Sequence, residues 1–153
     1  MLTYSVKPRG GVVHAVEVSE ALARRGHDVE LFALAREDET LFRPTDVPLN
    51  IVRHTPIEAP FDERIMAMLD AYTEGLELAG FDIVHAQDCL SANAALALRD
   101  AGEIDHVVRT VHHVDDFTSP SLIDCQDRSI LGPDRVVCVS QPWVERLRRD
   151  FGV

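Results

Sequence analysis

At 153 residues, with 46% hydrophobic and 27% charged side chains, the chain can bury one core and has the balance of a single globular domain, which excludes a disordered tract. A formal net charge of −11 repels nucleic acid and anionic lipid at long range, so any phosphate-bearing ligand must be caught by a local positive feature and not by the overall field. The sequence contains no long apolar run of membrane-spanning length and no secretory leader pattern, and Cys89, Cys125 and Cys138 are odd in number without a CxxC pair, which points to a soluble cytoplasmic protein with reduced thiols and no disulfide framework or zinc site.

Leu2–Val6 is the first predicted strand. A helix follows over about Gly11–Arg25, with Val12, Val16, Ser19 and Ala23 on one stripe; Arg24 and Arg25 favour the negative helix terminus and Gly26 supplies a left-handed stop. "DVELFAL" resumes as a strand, and a proline-punctuated connection leads to a third strand at Leu49–Arg53. Ile65, Leu69, Tyr72, Leu76 and Ala79 recur at three and four residue intervals, predicting one long helix over Phe61–Gly80. "FDIVHA" is a fourth strand, "LSANAALALRDAG" a short helix, "HVVRTVHH" a fifth strand and "DRVVCVS" a sixth. After Ser140, a suitable N-cap, "QPWVERLRRDF" is the last helix, with Pro142 in its first turn and Trp143 and Leu147 facing inward.

Apolar strands separated by helices imply a parallel sheet covered on both faces, the α/β, Rossmann-like doubly wound class. Ligands of such sheets sit beyond the carboxyl ends of the strands. The residues falling there are polar: Lys7–Gly11 after strand one, His85–Asp88 after strand four, His112–Asp116 after strand five, and Ser140 and Gln141 after strand six. Gly10 and Gly11 let the backbone approach a ligand closely, and the free amides of the first helical turn suit an anion such as a diphosphate. The turn lacks both GxGxxG and GxxxxGK[ST], which weakens a nicotinamide or flavin reading and excludes a Walker-type loop.

The segments "GGVVHAVEVSEALARRGHDVELFAL", "FDIVHAQD", "RTVHHVDDF" and "VVCVSQPWVERLRRDFG", in this order, resemble the N-terminal half of the two-domain GT-B glycosyltransferases of group 1, or family 4, over nearly the whole chain. "KPRGGVVH" and "HHVDDF" point to a bacterial subset of that family. The resemblance implies a retaining transferase that moves a sugar from a nucleotide-sugar donor to an unknown acceptor without a metal or other cofactor. It places Gly10 and Gly11 at the donor diphosphate and His112 against the donor sugar as an orienting group. His85, Gln87 and Asp88 fall on the acceptor side of the cleft, and His113, Asp115 and Asp116 are assigned there by position.

The same resemblance implies that residues 1–153 form the acceptor-side domain, with the donor-binding domain and its acidic motif outside this chain, and with the start clipped by several strand residues. The 153-residue chain alone is then expected to be inactive, and its uncovered cleft and interdomain face favour self-association. Two other classes compete. A non-enzymatic ligand-binding or interaction domain could keep the fold without the chemistry. A metal-dependent hydrolase could use His85, His112, His113, Asp115 and Asp116, although adjacent residues at a strand end point to opposite sides, so His112 and His113 do not readily share one ion.

Overall fold

The computed structural model describes Met1–Val153, and its element order is β1 (Leu2–Thr3), α1 (Gly10–Arg24), β2 (Leu31–Ala35), β3 (Leu49–Arg53), α2 (Phe61–Gly75), β4 (Val84–Ala86), α3 (Cys89–Asp100), β5 (Val107–Val111), α4 (Pro120–Leu131), β6 (Arg135–Cys138) and α5 (Gln141–Asp150). The six strands form one sheet in the order β3-β2-β1-β4-β5-β6, every neighbouring pair parallel. Chain order reverses beside β1, so the carboxyl ends of β1, β4 and β5 open a crevice at that switch point.

Strand alternation divides the core. Phe32 and Leu34 of β2 join Leu2, Tyr72, Leu96 and Val107 in the largest apolar cluster, beneath α2 and α3. Leu31 faces the other way, onto Ala15 and Val16 of α1. α5 closes the β6 end through Leu147, packed with Val111, Val114 and Ile130. Tyr72 is fully buried, and its hydroxyl lies 3.0 Å from the Thr3 carbonyl and 2.9 Å from that of Phe32, which fixes α2 over the ends of β1 and β2.

Several predicted boundaries shift for identifiable reasons. β1 ends at Thr3 and not at Val6, because the Tyr4 amide turns from the sheet to donate to Asp88 Oδ2 at 2.8 Å. α2 stops at Gly75 and not at Gly80. Leu76 and Leu78 are both buried, and residues two apart share a face only in extended backbone. Gly75 also lies so close to β3 that a Cβ there would overlap Val52 Cγ1. Gly26 and Gly80 both have φ of +90°, which explains the glycine at each of these turns. Ser140 occupies the N-cap of α5 but makes no side-chain capping bond.

β2 and β3 are joined without a helix, an exception to the expected alternation. Arg43 anchors this 36–48 connection to α1, its guanidinium reaching Glu17 Oε1 and Glu20 Oε1 at 2.6 Å each. α4 has no counterpart among the predicted elements, although Pro120 in its first turn and buried Leu122, Cys125, Ser129 and Ile130 at helical spacing mark it. No helix is long and apolar enough to cross a membrane.

Candidate functional site

α1 starts without a cap. Arg9 holds the N-cap position in extended backbone, no side chain bonds the first turn, and no acidic residue lies in it. The amides of Gly10, Gly11 and Val12 consequently have no acceptor in the protein. α3 contrasts directly: Asp88 accepts from the Ser91 amide at 2.8 Å in a complete capping box. The uncapped end of α1 borders a cavity of about 560 Å³ whose walls include Gly10, Gly11, Gln87, Arg109, His112 and Cys125. A Cβ on Gly10 would meet nothing within 4 Å, so this end of the helix is open to an incoming group.

His112, just past the carboxyl end of β5, forms the facing wall. Its Nε2 donates to Gln87 Oε1 at 2.9 Å, and the same oxygen accepts from His14 Nδ1 at 2.9 Å. The two imidazoles meet edge to face with centroids 5.0 Å apart. Burial, followed by the nearby His14, Arg109 and His113, lowers the His112 pKa to about 4. The ring is therefore neutral at pH 7. With Nε2–H committed to Gln87, Nδ1 keeps the lone pair, so the ring is an acceptor for a hydroxyl donor. Gln87 is itself only 2% exposed and reaches past His112 to His85 Nε2 at 3.4 Å and Met1 Sδ at 3.1 Å.

Residues 8–153 match Glycosyltransferase Family 4. The chain belongs to this family. No curated protein matches the chain. Among solved structures, sucrose-phosphate synthase from Thermosynechococcus elongatus is similar in fold, with a TM-score of 0.75 and 16% identity over 98% of this chain. The alignment covers 44% of that protein, so the family 4 chain described here spans less than half its length. The sheet is the Rossmann-like, doubly wound sheet of a GT-B glycosyltransferase.

Within this family 4 domain the expected site residues separate into groups. Gly10, Gly11, Gln87, Asp88, His112, His113 and Asp115 all border the cavity. His85 does not: its Nε2 bonds Thr110 Oγ1 at 2.7 Å beside the Gln87 amide, and burial lowers its pKa to about 4. His85 shares a strand face with Gln87, two residues on, and stands 3.4 Å behind the Gln87 amide, which borders the cavity in its place. Asp116 is also outside, its carboxylate exposed and paired with Arg146 at 2.6 Å. Asp88 borders the cleft, but both oxygens are used in capping α3 and holding Tyr4.

His113 and Asp115 pair with each other at 3.2 Å, while His112 turns to Gln87. No group of three or more His, Cys, Asp or Glu side chains is arranged to hold a metal ion.

Four residues have roles here that the sequence alone did not assign. His14 lies one turn into α1 and so shares an end with Gly10 and Gly11, a helical spacing that could have signalled it. Arg109 is an arginine inside the apolar strand "VVRTV"; it is 5% exposed, donates to the Thr110 carbonyl at 2.6 Å, and its Nε has no partner. Burial lowers its pKa, partly offset by Asp88. Cys89 and Cys125, remote in sequence, place their sulfurs 2.9 Å apart on the cavity wall as free thiols. Their shared hydrogen bond raises the Cys89 pKa, with burial adding to it, and lowers that of Cys125.

Proposed function

We propose that this domain is the acceptor-side half of a retaining glycosyltransferase that uses a nucleotide-sugar donor, the donor-binding half lying in a further domain. The observation carrying this reading is the juxtaposition of His112 with Gly11 at the uncapped start of α1: a Cβ on Gly11 would stand 3.4 Å from the His112 ring. A neutral hydrogen-bonding ring thus lies beside three free amides at the positive end of a helix.

In the proposed reaction the diphosphate sits over Gly10 and Gly11, and His112 accepts a hydroxyl of the donor sugar. The bond from the anomeric carbon to the diphosphate breaks while the bond to the acceptor oxygen forms on the same face. The acceptor proton passes to the departing diphosphate. His112 orients the sugar and does not need to act as the base, in keeping with a ring whose burial lowers its pKa to about 4. Fractional helix charge alone is too weak for a diphosphate carrying more than one full charge in an open cleft, so cationic groups from the donor half complete the site.

The test is amide NMR of the isotopically labelled chain titrated with UDP-, GDP- and ADP-sugars. The expected result is weak binding with the largest shifts at Gly10, Gly11 and Val12 and at the His112 ring. Shifts confined to other surfaces would remove the diphosphate from this turn.

A further inference from the structure

A second cavity, of about 400 Å³, lies beyond the carboxyl ends of β1, β2 and β3 and shares Tyr4, Arg9, Phe61 and Ile65 with the main cleft. Gly10, Gly11 and His112 do not border it. Four cations do, Lys7, Arg9, Arg36 and Arg64, together with one carboxylate, Glu39. In a chain of net charge −11 this is a local reversal of sign.

The single carboxylate is already committed. Lys7 Nζ lies 3.0 Å from Glu39 Oε1, and the Arg36 amide donates to Glu39 Oε2 at 3.1 Å. The three guanidinium groups have no acidic partner. Arg9 lies 5.4 Å from the Tyr4 ring centroid and donates to the Tyr4 hydroxyl. Arg64 lies 5.9 Å from the Phe61 ring centroid, and the Arg36 side chain makes neither a hydrogen bond nor an ion pair. The acidic neighbours Glu37, Asp38, Glu58, Asp62 and Glu63 do not border the cavity, and Asp62 is held by Ser119 Oγ at 2.9 Å.

The cations are also positioned by separate elements. Arg53 Nη1 donates to the carbonyls of Arg36 and, at 2.7 Å, of Glu39, fixing the turn after β2. Arg64 comes from the first turn of α2, and Arg9 from the approach to α1. Three unneutralised like charges around one concavity repel each other, a cost that an anionic ligand offsets.

We propose that this cavity binds the phosphate monoester of a phosphorylated acceptor, an inference that rests on the transferase reading above. A phosphate dianion answers three free cations better than a carboxylate with one charge, and planar guanidinium forks match its oxygens. The apolar wall of Phe61 and Ile65, common to both cavities, leads the carbon skeleton from the phosphate toward the main cleft. The diphosphate of the donor has its own seat at Gly10 and Gly11, so the second anion belongs to the acceptor.

Isothermal titration of the 153-residue chain with glucose 6-phosphate, inorganic phosphate and glucose tests this directly. Glucose 6-phosphate is expected to bind tighter than inorganic phosphate, glucose not to bind, and raised salt to weaken both anions. The double variant Arg36→Gln/Arg64→Gln should lose at least tenfold in affinity. Arg24→Gln/Arg148→Gln, which removes the same charge from exposed positions elsewhere, should bind like the parent, with thermal melts confirming that both are folded. Equal affinity for inorganic phosphate and glucose 6-phosphate, no anion binding at millimolar concentration, or equal losses in both double variants would overturn the proposal. Phosphate binding needs neither donor nor turnover. A chain that binds sugar phosphate but transfers no sugar when joined to its donor half therefore keeps this site and loses the transferase reading. A transferase indifferent to Arg36→Gln/Arg64→Gln loses the site alone.

Discussion

Gly11 and His112 are matched in shape: a Cβ on Gly11 would stand 3.4 Å from His112 Cδ2, 3.6 Å from Nε2 and 3.7 Å from the Gln87 carbonyl oxygen. These are ordinary contact distances, so a single methyl group fits and only a larger side chain would press on the ring, and the φ of Gly11 is not in the left-handed region. β5 brings the imidazole to the end of α1 that carries the free amides.

Gly11→Val adds two carbons beyond that Cβ, into the imidazole and over the amides. In the complete transferase, kcat/KM for the donor should fall at least about tenfold, or about 1.4 kcal/mol of transition-state stabilisation. The melting temperature of the domain should move by only a few degrees. Parent-like donor kinetics in the folded variant would reject the diphosphate seat.

His112→Ala should slow turnover far more than it destabilises the fold, because the ring is only partly buried at the cavity wall. Gln87→Leu should do both. It leaves the His14 and His112 donors without their shared acceptor, at a cost of about 1–3 kcal/mol in urea unfolding. Comparable unfolding midpoints for the two variants would show that Gln87 does not organise the pair.

His85 and His112 both fall from the ordinary 6.5 to about 4 through burial. Their folded pKa values lie below the unfolded ones, so between those values the unfolded chain binds more protons, and stability should decline as pH falls from 6.5 toward 4. Hydrogen bonding to Arg43 holds Glu20 at about 2 against an ordinary 4.5; its contribution is present above 4.5 and lost as pH falls further. Urea titrations at a series of pH values should show both windows, with His85→Gln flattening the upper one. A flat profile from pH 7 to 4.5 would mean that neither histidine is buried as described.

Gly75→Ala places a methyl group against Val52 Cγ1 and should destabilise the fold by about 1–3 kcal/mol, despite the better helix propensity of alanine. Pairing it with Val52→Ala should cost less than the sum of the single changes in a double-mutant cycle. Strict additivity would show that the two sites are uncoupled.

Residues 1–153 alone should show no nucleotide-sugar turnover and at most weak donor binding, because transfer requires both reactants to be held in a closed site with full positive charge at the leaving group. Incubation of the purified chain with a panel of nucleotide sugars, following nucleotide release, measures this. Robust turnover would overturn the division of labour between two domains.

Local rules made much of this protein legible from its residues. The glycine stop at Gly26, the helical stripe Val12, Val16 and Ser19, and the apolar runs of β2 and β5 depend on near neighbours, and they led correctly to a doubly wound parallel sheet with polar residues at its strand ends. Packing decided what neighbours could not. α2 ends at Gly75 because β3 lies against it, and β1 ends at Thr3 because a carboxylate 84 positions away takes the Tyr4 amide. Packing of β4 on β5 tied His85 to Thr110 behind the Gln87 amide that reached the cleft, and chain crossing set Cys89 beside Cys125 and gathered Arg9, Arg36 and Arg64 around one concavity. Sequence periodicity reports which face of an element is buried; which groups from separate elements meet on that face is set by the crossover geometry of the whole sheet.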